Sequence, residues 1–128
     1  MPPERITAEG LLAPPGYAHA VRAGSLVHTA GAVPMDADGN LVGEGDVEAQ
    51  TRQTLTNLEV QLAAAGANPA DVVKTVIYVA GERREDLHAA WEIVRASAFD
   101  GAASTLLGVS YLGYTGQLVE IEAVAVLD

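Results

Sequence analysis

Between residues 46 and 66 the apolar positions recur at helical spacing. Thr51, Leu55, Leu58, Leu62 and Ala65 follow one another at intervals of 4, 3, 4 and 3, so they share one helix face. Asp46 is a good N-cap, and Glu48 sits in the first turn, where the helix dipole favours a carboxylate. Gly66 supplies a C-cap and Pro69 prevents continuation. Val72 to Val79 is rich in β-branched residues and predicts a strand. Both of its faces are largely apolar, so it is expected to be central or covered on both sides. A second helix is expected over 84–98, with Leu87, Trp91, Val94 and Ala98 inward. Residues 18–23 and 25–30 read as short strands broken at Gly24. Ser104 to Leu112 and Leu118 to Leu127 read as two more, joined by Gly113-Tyr114-Thr115-Gly116, and a further strand is expected near Ile6. Strand pairs around two helices predict an α+β domain, with two helices on one face of a mixed sheet.

Asp36-Ala37-Asp38-Gly39-Asn40 is a turn cluster. It opens like a calcium-binding loop, but Leu41 stands where that motif needs Gly and Val47 where it needs Glu.

Composition narrows the classes. A length of 128 residues fits one domain over 1–128. Seven Lys and Arg against seventeen Asp and Glu give a net charge of −10. That balance opposes electrostatic binding to nucleic acid or to an anionic membrane. Without cysteine there is no disulfide scaffold, thiolate nucleophile or Cys-ligated metal. No apolar run is long enough for a bilayer, and no basic segment precedes an apolar one at the start, so a cytoplasmic location is expected. Aromatic residues are only 5%. A core of small residues is thin, and association between subunits would complete it.

Few residues stand out chemically. Glu120 and Glu122 are two apart on the last strand, hence on one face and about 7 Å apart. Carboxylates on an otherwise apolar face need a reason. They can rim a pocket, pair with cations or lie on a wet edge, and a two-carboxylate hydrolase is also compatible with the spacing. Spacing alone favours solvated or paired carboxylates. His88 lies one residue off the apolar stripe of the second helix, where it can pair with Glu92. His19 and His28 fall in the first two strands, within reach of each other across a hairpin. No histidine pair has metal-binding spacing, and no metal is expected. Nucleophile-elbow, dinucleotide and phosphate-loop sequences are missing. Gly113-Tyr114-Thr115-Gly116 superficially matches an RNA-clamping loop, but no basic residue follows Arg95.

Five segments, in unbroken order, carry a resemblance. They are Pro15-Gly16-Tyr17, Thr29-Ala30-Gly31-Ala32-Val33-Pro34, Gln50 to Leu58, Asp71 to Val76, and Glu120-Ile121-Glu122-Ala123-Val124-Ala125-Val126. The chain resembles the YjgF/Rid family of reactive-intermediate deaminases from about Pro15 to its end. The resemblance implies a chorismate mutase-like fold and a homotrimer with a central β-barrel. It also implies a small-molecule cleft between subunits, and hydrolysis of imines and enamines without a cofactor. It places Glu120 as the water-holding glutamate, and Tyr17 and Gly31 as cleft residues. After a one-residue gap near 81–84 it places His88 at a polar cleft position. Tyr111 and Tyr114 bracket the loop before the last strand and can add hydroxyls to a cleft.

One departure matters. The deaminating members carry an arginine at the start of the fifth main strand, which grips the substrate carboxylate. Here Ser104 stands at that position and Leu106 where a cysteine is frequent. A neutral serine cannot form the bidentate, charge-assisted pair of a guanidinium. The resemblance is therefore to the branch lacking this arginine. It implies an enamine or imine hydrolase of altered specificity, favouring neutral or cationic substrates, or else a non-catalytic metabolite-binding or regulatory trimer. Arg22 and Arg83 are the candidates to replace the lost charge. RNA cleavage has also been attached to the family, and the −10 charge opposes it here.

Overall fold

The computed structural model describes residues 2–128. Six strands form one sheet: β1 (Glu4–Ile6), β2 (Ala20–Ala23), β3 (Leu26–Thr29), β4 (Val72–Val79), β5 (Ala103–Gly108) and β6 (Val119–Val126). Their order is β1-β2-β3-β6-β4-β5. Strands β4 and β5 run parallel, and the helix between them in sequence makes the crossover. Two helices, α1 (Val47–Ala64) and α2 (Arg84–Arg95), cover one face. The α+β class, the mixed sheet and the two helices on one face follow the expectation from the sequence.

Local chemistry explains the element boundaries. The Asp46 carboxylate caps α1 by accepting from the Ala49 N–H at 3.0 Å. Gly66, at φ +85°, takes the left-handed turn that follows the helix. In the turn at 36–40, Asp36 Oδ1 accepts from the N–H groups of Asp38 and Asn40, so that carboxylate closes a turn. Helix α2 stops earlier than the expected 98. The Ser97 hydroxyl bonds the Val94 carbonyl at 2.6 Å and accepts from the Phe99 N–H, which turns the chain and buries Phe99. Ala98 is consequently exposed and does not join the inner face. Strand β5 is also shorter than expected, because its one ladder partner, β4, ends at Val79. The last bond is Val109 N–H to Val79 O at 2.9 Å; beyond it the chain leaves the sheet.

The core lies between the sheet and the helices. Leu55, Leu58, Leu62 and Ala65 of the α1 region pack on Ile77, Val79, Val119 and Ile121. Polar residues share this buried side of α1: Gln50, Thr51, Thr54, Asn57 and Gln61. All but one of these side chains have partners; the Thr54 hydroxyl is buried with none among the described residues. An unpartnered buried hydroxyl costs free energy that an isosteric methyl does not. Thr54→Val should therefore be as stable as wild type or more so, by up to about 1 kcal/mol, in urea denaturation.

Among the described residues, no helix covers the other sheet face. Strand β6 alternates across the two faces: Val119, Ile121, Ala123 and Ala125 are buried, while Glu120, Glu122, Val124 and Val126 point to the open side. Strand β4 alternates too, after a register shift between Val72 and Lys74 that leaves Val73 exposed. Thr75, Ile77 and Val79 face the helices; Lys74, Val76 and Tyr78 face the open side. Within one chain, β4 is thus covered on one face only.

Candidate functional site

Glu120 stands near the start of β6, on the open face, opposite Tyr78 of β4. Beside it a cleft of about 460 Å³ is lined by Pro15, Tyr17, Gly31, Val33, Tyr114 and Glu120, among others. No Lys, Arg or His lines it among the described residues. Of the expected site residues, Glu120, Tyr17, Gly31 and Tyr114 are brought together here.

Three parts of the chain build this cleft, and α1 fixes two of them. Asn57 Nδ2 donates to the carbonyls of Val33 (2.7 Å) and Met35 (2.9 Å). Gln61 Nε2 donates to the carbonyls of His19 (2.8 Å) and Ala30 (3.1 Å). The segment carrying Gly31 is thereby tied to the helix on both sides. Gln50 Nε2 donates to Gly43 O and Gly116 O, both at 3.1 Å, and its Oε1 accepts from the Leu118 N–H at 2.7 Å. This holds the loop that brings Tyr114 to the cleft. Close by, Gln117 donates to Glu120 Oε1 at 3.1 Å. These amides repeat at positions 50, 57 and 61, in step with the apolar stripe of α1. That spacing was the signal in the sequence, and a stripe counted only for apolar residues passes over it.

Gly31 has a definite steric task. A Cβ there would collide with the Glu120 carboxylate, Oε2 foremost. The carboxylate fills the space that a side chain at Gly31 would take. Burial holds the Glu120 carboxyl above its ordinary value, and the Glu122 charge adds to this, while the Gln117 hydrogen bond pulls the other way. The Tyr17 phenol is also raised, first by burial, then by Tyr114 and by the Glu120 charge. Tyr78 donates to Glu122 Oε1, and its phenol is pushed up to about 12 by that bond first and by burial next. The two carboxylates thus differ: Glu122 is held by a phenol, and Glu120 faces the cleft.

A pH dependence follows for stability. Glu120 binds its proton more tightly folded than unfolded, so the folded state gains from protonation. The contribution is fully present below the unfolded value near 4.5 and is lost as pH rises through the folded value. Glu120→Gln should therefore unfold at a higher temperature than wild type at pH 7. The gap should narrow as pH falls towards 4.5 in differential scanning calorimetry.

The remaining expected residues lie elsewhere in the chain. Ser104 pairs with buried Thr75 on the helix-covered side, their hydroxyls 2.6 Å apart. His88 is exposed on α2, across the sheet from Glu120; Glu92 pairs with Arg95 at 3.5 Å, not with His88. Tyr111 is 89% exposed and borders a separate depression that shares Tyr114 and Gln117 with the loop. His19 and His28 do not join: buried His19 Nδ1 accepts from the Ala8 N–H and Nε2 lies 3.0 Å from Leu12 O, while His28 is exposed in a groove with Arg5. Arg22 donates to the carbonyls of Gly24 and Ala65, and Arg83 pairs with Asp86 at 3.3 Å, and neither lines this cleft. Strand register sets Ser104 beside Thr75, and no local pattern in the sequence shows it.

A mixed sheet backed by two helices, with a tyrosine- and carboxylate-lined cleft at its open face, defines an α+β domain of the YjgF type. The chain belongs to the YjgF/Rid family: the family described as Endoribonuclease L-PSP matches residues 8–127. It is 37% identical over 117 residues to the RutC family protein slr0709 of Synechocystis sp., covering 87% of this chain and 85% of that one. It is 43% identical over 63 residues to the 2-iminobutanoate/2-iminopropanoate deaminase of Salmonella typhimurium, covering 49% and 48%. The chain spans about half the length of that relative and of two Pyrococcus relatives. Among solved structures, the Rid-family protein YyfA of Yersinia pestis is similar at TM-score 0.86 and 30% identity, over 98% of this chain and 100% of that one. No helix among the described residues is long and apolar enough to cross a membrane.

Proposed function

We propose that this protein hydrolyses neutral or cationic imines and enamines, in a cofactor-free cleft completed by neighbouring subunits of a homotrimer. One observation carries the reading: the partly buried Glu120 carboxylate opens into a cleft whose lining holds no cation among the described residues. A carboxylate whose proton affinity is raised is suited to take a proton from water as it attacks a C=N carbon. The same carboxyl then returns that proton to nitrogen. The carbinolamine collapses to a carbonyl as the carboxylate passes the hydroxyl proton to the nitrogen and the C–N bond breaks, so ammonia leaves and one water is consumed for each imine. Tyr17 and Tyr114 supply hydroxyls to orient the substrate. The Salmonella relative's name describes a deaminase of 2-imino acids. Ser104 at the family's arginine position, together with the cation-free lining, supports a different charge preference here.

The test is ammonia release from uncharged imines and from enzymatically generated 2-aminoacrylate. Turnover of the uncharged imines is expected to exceed that of 2-aminoacrylate. Release from neither, with Glu120→Ala indistinguishable from wild type, would leave only the alternative, a metabolite-binding or regulatory trimer. That alternative draws on the same lack of a cation, and a thermal-shift screen of small metabolites tests it. The trimer is supported by the helix-free sheet face, on which Leu26, Leu107 and Val126 are exposed. Light scattering should return three times the 13.2 kDa chain mass, and a stable monomer would remove the inter-subunit cleft.

A further inference from the structure

We infer that Gln117 is a positioning residue that assigns separate tasks to the two oxygens of Glu120. The inference rests on the reading of Glu120 as the group that handles water. Gln117 is 3% exposed, and both polar atoms of its side chain have partners. Its Nε2 donates to Val119 O at 3.0 Å and to Glu120 Oε1 at 3.1 Å, and its Oε1 accepts from the Tyr114 N–H at 3.1 Å. The orientation of the amide is determined by its neighbours. Flipped, it would set its NH2 against the Tyr114 N–H and its oxygen against two acceptors.

The consequence is atomic. Oε1 of Glu120 is held by the amide, while Oε2 lies over Gly31, where the backbone leaves room for it. Oε2 is therefore the oxygen that exchanges a proton in the cleft. The same amide also fixes Tyr114, so one buried side chain sets the carboxylate and a phenol on the cleft wall together. A neutral donor suits this task. It supports the carboxylate without neutralising it, whereas a lysine or arginine would pair with it and hold its proton affinity down.

The hydrogen bond can be read in the unmodified protein. In NMR titrations, the Gln117 side-chain amide resonances should shift with the same midpoint as the Glu120 carboxyl carbon. That response should vanish in Glu120→Gln. In Gln117→Met, which keeps length but cannot donate, the Glu120 midpoint should move up, because a stabilising donor is lost. Gln117→Glu keeps the acceptor for Tyr114 and places a second carboxyl beside the first, so the midpoint should again rise. Val94→Ala serves as the structural control. It opens a cavity under α2, away from the cleft, should lower the melting temperature, and should leave the Glu120 midpoint in place. Gln117 resonances that do not follow Glu120 in the wild-type protein would overturn the inference. So would a Glu120 midpoint that moves as far in Val94→Ala as in the Gln117 variants. None of these measurements needs turnover. Linked titrations in a protein that releases no ammonia would remove the hydrolase reading and leave the positioning intact.

Discussion

Glu120→Gln is expected to lower imine hydrolysis by about 10²–10⁴-fold, the range typical for loss of a positioned acid–base group. The substitution keeps the shape and can still accept from Gln117 through its amide oxygen. What it loses is the ability to take a proton from water and return it to nitrogen. The loss should fall on kcat, because Tyr17, Tyr114 and the apolar wall remain to bind substrate. The same variant is expected to melt above wild type at neutral pH, since it no longer holds a partly buried charge. Lower turnover with higher stability is the combined result sought. A variant that turns over uncharged imines as fast as wild type would remove Glu120 from the reaction.

Gly31→Ala is expected to be nearly as damaging, at about 10²-fold, although it changes no functional group. The added methyl would overlap Oε2, Cδ and Cγ of Glu120. The segment around Gly31 cannot yield easily, because Asn57 and Gln61 tie its carbonyls to α1 on both sides. The carboxylate must therefore swing away, breaking its bond to Gln117. Displacements of about 1 Å at a reacting group can cost two orders of magnitude. Steady-state kinetics with a crystal structure of the variant would check this. An undisplaced Glu120, or unchanged kinetics, would contradict it.

Much of the fold was legible because its signals are local. The stripe from Thr51 to Ala65 and the Asp46 cap placed α1 to within about two residues, the accuracy of helix ends generally. The alternation in β6 put Glu120 and Glu122 on one face, as the structure shows. Errors arose where a boundary depends on a partner. Strand β5 ends where β4 ends, and α2 ends at the Ser97 hydroxyl. The candidate site was legible in part through the resemblance, which places Tyr17, Gly31 and Glu120 at a cleft; Tyr114 lines the same cleft. Ser104, His88 and Tyr111 do not join them within one chain, because register and helix packing turn them elsewhere. Gln117 was passed over, because a lone glutamine has no periodic partner and gains its meaning from Glu120 and Tyr114.

By itself, the sequence determined the element types and their order, the net charge of −10, the absence of cysteine chemistry, and the pairing of Glu120 with Glu122 on one strand face. These follow from periodicity, capping and composition, which act over a few residues or need only counting. Tertiary structure alone decided that Gly31 makes room for a carboxylate, that Glu122 is held by Tyr78, and that the amides of α1 pin the cleft. Each of those depends on chain segments meeting across the sheet. A collision or a hydrogen bond between distant residues is set by strand register and helix packing, and neither is written in the spacing of any one segment.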